Sequence, residues 1–142
     1  MNSVLRNIVA FVLGWLGGST VNMGLVTLGN KLMPVDGLDY TTSQEELMEA
    51  LTPLMSSLEP KYFIFPFLAH ALGTLAGAFI AAKIAVSAQM KIALGIGLFF
   101  FIGGIVVNCY YLPGPIWFSV VDLLFAYFPM AWLGAKLAGH RV

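Results

Sequence analysis

The chain has 142 residues, of which 59% are hydrophobic and 10% charged, with seven basic and seven acidic side chains. A soluble domain carries about 25% charged residues, so this chain lacks the polar surface to cover itself in water, and lipid is its expected solvent. The single cysteine, Cys109, excludes an intrachain disulfide, a CxxC redox pair and a cysteine zinc site.

The first predicted span covers about 4–28. Arg6 followed by IVAFVLGWLGG resembles a signal peptide, but the apolar run continues past about twenty residues and no A-x-A cleavage pattern follows. A retained span is therefore expected. Gly14, Gly18 and Asn22 recur every fourth residue, which puts small residues on one helix face and favours close helix packing.

Residues 30–60 form the long polar segment. Pro34 and Asp36-Gly37 open it as turn formers. Thr42 with Glu45, or Ser43 with Glu46, has capping-box spacing. Leu47, Leu51, Leu54, Met55 and Leu58 then form an apolar stripe opposite Glu45, Glu46 and Glu49. This predicts an amphipathic helix over about 42–58, bent or split by Pro53, too short to span and lying on the membrane surface or over the bundle.

The second span, about 61–83, is flanked by Lys61 and Lys83. Ala69, Gly73, Gly77 and Ala81 make a flat strip along it, with His70 one turn from Thr74 beside the strip. The third span, about 91–111, holds Gly95, Gly97, Gly103, Gly104 and Asn108. LPGP at 112–115 turns the chain into the fourth span, about 116–137, with Asp122 and a kink expected at Pro129. Phe99 to Phe101 and the three tryptophans are expected to face lipid or its interface. The expected fold is all-α: an antiparallel bundle of four transmembrane helices with an extracytoplasmic amphipathic helix, in a single integral membrane domain over 1–142.

Charge placement sets the expected orientation. Arg6, Lys83, Lys91, Lys136 and Arg141 share one side, with no acid among them. Asp36, Asp39, Glu45, Glu46, Glu49 and Glu59 lie on the other, against Lys31 and Lys61. The basic side is expected in the cytoplasm, so both termini are cytoplasmic and the protein is a multi-pass component of the inner (plasma) membrane.

GGSTVNM at 17–23 is similar to GGIVVNC at 103–109, and FIAAKIA at 79–85 to WLGAKLA at 132–138. The spans thus read as a possible parallel repeat of two helical hairpins. Counting by helix rise, Asn22, Asn108, Asp122 and His70 lie ~9, ~6, ~9 and ~12 Å below the outer end of their spans. With Thr74 they define a candidate polar layer. A carboxylate at that depth costs about 2–3 kcal/mol on insertion scales, so Asp122 should face the bundle or water, or else snorkel to the interface. His70 either locks the bundle by a hydrogen bond to a carbonyl or to Asn22, or handles a proton with Asp122. If the two are neighbours, their titrations are coupled.

No metal site is expected, because His140 falls at the opposite face and one histidine with one aspartate is a poor ligand set. No nucleophile, phosphate-loop or dinucleotide motif is present, so neither a catalytic residue nor a cofactor is expected. The few basic residues are explained by topology, which argues against a nucleic-acid partner.

In FPFLAHALGTLAGAF and WFSVVDLL the chain resembles short four-span membrane proteins of bacterial genomes. The resemblance covers most of the chain and implies a fold, but no activity or ligand residue. Two functions are weighed. The first is a non-catalytic accessory or scaffold subunit, or a homo-oligomer, packed through its Gly/Ala seams: Gly14, Gly18, Ala69, Gly73, Gly77, Ala81 and Gly104. The second is a small proton- or cation-linked transporter or channel using His70 and Asp122. Besides lipid, the expected partner is a second copy or a larger membrane complex.

Overall fold

The computed structural model describes residues 2–139, and no strand occurs among them. Helix α1 spans Ser3–Leu32, α2 Gln44–Leu51, α3 Ile64–Ile84, α4 Gln89–Val106, α5 Ile116–Phe125 and α6 Phe128–Leu137. Two 3-10 turns, Thr52–Ser57 and Pro60–Phe63, link α2 to α3, and a π-helical turn, Val107–Tyr111, extends α4. Four helical stretches are long and apolar enough to cross a membrane: Ser3–Leu32, Pro60–Ile84, Gln89–Tyr111 and Ile116–Leu137. His140 and Arg141, considered above, lie outside the described residues.

Helix α1 runs past Leu28 because nothing breaks it before Pro34. The residue before a proline is disfavoured in the α region, and Met33 leaves it at φ −137°, ψ 61°.

Helices α1 and α3 pack backbone to backbone. A Cβ added to Gly14 would lie 2.6 Å from the Gly77 carbonyl oxygen, and one added to Gly77 would lie 2.7 Å from that of Gly14. Gly18 and Gly73 repeat the relation at 2.6 and 2.9 Å. Only glycine permits this approach at both levels, and the descending register makes the pair antiparallel. Farther along, Gly29 faces Phe65, and Ala81 packs over Gly14. The seam read from the sequence is thus used within the chain.

The other spans complete an up-down-up-down bundle. Gly97 sets α4 against Ala131 of α6, Gly134 of α6 lies under the Leu75 carbonyl of α3, and Gly95 of α4 meets Phe11 of α1. The core toward the ends of α3 and α6 is mainly alanine: Ala78, Ala81, Ala82, Ala93, Ala131 and Ala135 are all 0–1% exposed, with Ile96 among them. Here the bundle is narrow and closed. At the same end, Arg6 Nε donates to the Ile84 carbonyl at 3.0 Å. Asn7 accepts from the Val86 N–H at 3.1 Å and donates to Ser87 at 2.9 Å. The start of α1 is thereby tied to the α3–α4 turn.

The polar segment folds over the opposite end. Ser43, rather than Thr42, caps α2 by accepting from the Glu46 N–H at 3.3 Å. The amphipathic stretch is split: Pro53 stands in the first turn of the 3-10 segment that follows α2. Met55 is buried with Phe63 and Phe118, seating the segment on the ends of α3 and α5. Large apolar side chains remain exposed around the bundle, among them Ile116 at 83% and Leu124 at 61%, a surface suited to lipid. Of the phenylalanine run only Phe99 is exposed; Phe100 covers Gly18, and Phe101 packs beside Tyr127.

The fourth span is broken rather than kinked. α5 ends at Phe125, Tyr127 takes φ −115°, ψ −80°, and α6 restarts with Pro129 in its first turn. Proline has no N–H for the Phe125 carbonyl and its ring crowds that position, so the chain stops and restarts the helix. α3, the span similar to it in sequence, is continuous. The proposed repeat therefore differs between its halves where the second hairpin turns irregular.

Candidate functional site

Asp122 lies on α5 and is 0% exposed. It does not snorkel. Three side chains surround its carboxylate. His70 Nδ1 of α3 is 2.9 Å from both Oδ1 and Oδ2. Asn108 Nδ2 donates to Oδ2 at 2.8 Å, and the Tyr127 hydroxyl donates to Oδ2 at 3.0 Å. A buried charge needs such partners, since desolvation alone costs several kcal/mol.

The donors come from the irregular parts of the second hairpin. The π turn closes with Leu112 N–H to the Val107 carbonyl at 2.8 Å, and within it Asn108 is 7% exposed. Tyr127 sits in the α5–α6 break. Its hydroxyl occupies the space a side chain at position 104 would take, so Gly104 makes room for the bond to Asp122. Tyr127 lies five residues past Asp122, in the break before Pro129. Thr20, by contrast, bonds to the Leu16 carbonyl of its own helix.

His70 pairs with Asp122, not with Asn22. An ionised carboxylate only accepts, so the hydrogen between the two belongs on Nδ1. With the hydrogen on Nδ1, Nε2 of a neutral ring is an acceptor. Among the described residues His70 is the ion-pair partner of Asp122, and the remaining salt bridge, Lys61–Glu59, is elsewhere. With neutral His70 the cluster carries one negative charge; with protonated His70 it is neutral.

His70 also lines a cleft of about 290 Å³ between α1, α3 and α4. Ser19, Asn22, Thr74, Phe100 and Gly103 share its wall. Thr74 is 1% exposed, and its Oγ1 has no hydrogen-bond partner. Asn22 sits against Gly73, where a Cβ would approach its own Cβ to 3.0 Å. Of the residues expected in one layer, His70, Asn108 and Asp122 are joined by hydrogen bonds, while Asn22 and Thr74 stand along the cleft. Of the seam residues, Gly14, Gly18, Gly73 and Gly77 join α1 to α3, Ala69 is fully buried, and Gly104 serves the cluster. No group of three or more His, Cys, Asp or Glu that could hold a metal ion occurs among the described residues. No family model, curated protein or solved structure matches this chain.

Proposed function

We propose that this chain is a multi-pass protein of the inner membrane, with both termini cytoplasmic, that moves protons or a small cation through the His70–Asp122 pair. One observation carries the reading: a fully buried carboxylate is paired with a histidine that lines a cleft shared with Ser19, Asn22 and Thr74. An intramembrane acid is costly and ordinarily faces a pathway or a polar partner. An imidazole can both accept and release a proton, so proton exchange at Nε2 would switch the cluster between negative and neutral. Asn108 and Tyr127 hold the carboxylate in place through that change. In proteoliposomes, the full chain is expected to dissipate an imposed proton gradient, and Asp122→Asn to abolish that flux. Equal flux in wild type and Asp122→Asn would refute the reading.

The second reading is a non-catalytic subunit of a homo-oligomer or larger membrane complex. It is favoured by the alanine-packed end, which leaves one chain no wide path across. The main glycine seam is occupied within the chain, so docking would use the exposed outer faces of the spans. A defined partner or a stable oligomer in mild detergent is its expected result.

A further inference from the structure

The cleft offers more hydrogen-bonding capacity than the protein uses. Thr74 Oγ1 is buried without a partner, although a threonine hydroxyl in a helix ordinarily reaches the carbonyl one turn back. A buried hydroxyl left unpaired is costly, a sign that something else pairs with it. Ser19 and Asn22 on α1 are half-buried on the same wall, and neither side chain makes a hydrogen bond among the described residues. His70 contributes Nε2, which is an acceptor whenever Nδ1 carries the hydrogen toward Asp122. Four residues with groups able to accept therefore line one cavity, beside the Asp122 carboxylate that His70 contacts.

The chemistry of these groups selects among cations. Divalent transition metals are ordinarily held by three or more His, Cys, Asp or Glu side chains, and no such group occurs among the described residues, His70 having only Asp122 beside it. Hard metal ions prefer oxygen and gain little from an imidazole nitrogen. A cation carrying several N–H groups suits the set: each N–H can donate to one acceptor, and its charge offsets Asp122. The volume, about 290 Å³, leaves room for a small substituent on the nitrogen.

Building on the proton- or cation-linked reading, we infer that the α1–α3–α4 cleft binds ammonium or a small primary ammonium ion, held by His70 Nε2, Thr74 Oγ1, Asn22 and Ser19. The test is equilibrium dialysis of the full chain in mild detergent with labelled methylammonium. Saturable binding is expected, displaced by ammonium but not by the same concentration of sodium or potassium. Thr74→Val should weaken it about tenfold, the equivalent of about 1.4 kcal/mol, and Thr74→Ser, which keeps the hydroxyl, should bind as wild type does. Ser19→Ala, at a half-buried position with no hydrogen bond to lose, should also weaken binding and is the second variant should Thr74→Val fold poorly. Absent saturation, equal displacement by sodium or potassium, or full binding in both Thr74→Val and Ser19→Ala overturns the inference. The gradient assay separates the two claims. Asp122-dependent proton flux without methylammonium binding removes this inference alone, and loss of both removes the reading beneath it.

Discussion

The two hairpins of this bundle are built from similar sequence and solve different problems. The first, α1 with α3, is regular throughout and joined where backbones touch, Gly14 on Gly77 and Gly18 on Gly73. The second, α4 with α5 and α6, contains a π turn and a broken helix, and both irregularities deliver a hydrogen-bond donor to Asp122. Regular helices associate through small residues because close contact is the main gain available between apolar spans. A buried carboxylate needs side chains brought in from several directions, and a regular helix offers few. The second hairpin thus gives up backbone regularity around one charged group, while the first supplies a rigid wall and the histidine.

The largest effect should come from removing the charged group. Asp122→Ala leaves the donors of His70, Asn108 and Tyr127 facing a cavity. Breaking a buried pair in this way is expected to cost about 3–5 kcal/mol, read as loss of thermal stability in mild detergent. A near-wild-type melt would mean that the second hairpin is not organised around Asp122. A smaller effect is expected in the first hairpin. Gly18→Ala puts a methyl 2.6 Å from the Gly73 carbonyl oxygen and should cost about 1–3 kcal/mol by forcing the helices apart. On the same helix Gly24 has nothing within 4 Å of an added Cβ. Gly24→Ala should therefore be neutral or stabilise by up to about 1 kcal/mol through helix propensity. Equal effects at positions 18 and 24 would show that backbone contact is not what joins α1 to α3.

The regular hairpin was the more legible in sequence. Small residues at four-residue spacing announce a seam, and length with hydropathy announces a span. Spacing does not say which partner a seam takes, and the glycines marked for docking other chains meet one another here. The segment over the bundle is legible as amphipathic and as bent or split at Pro53, but its seating through Met55 on Phe63 and Phe118 is not, because Phe118 is distant in sequence. Depth counting placed His70, Asn108 and Asp122 near one level because helix rise is constant. It could not bring in Tyr127 above other hydroxyls, since counting assumes a regular helix and Tyr127 lies where the helix breaks. Nor could it separate Asn22 from the cluster, because depth carries no information on azimuth around the bundle.

The account depends most on the state of the His70–Asp122 pair, which nitrogen NMR of histidine-labelled protein reads directly. In a His140→Gln background, the signals belong to His70 alone. Neutral His70 should carry its hydrogen on Nδ1 and gain its second proton on Nε2, and Asp122→Asn should change that pattern. A neutral His70 protonated on Nε2, with Nδ1 bare and insensitive to Asp122→Asn, would contradict the account.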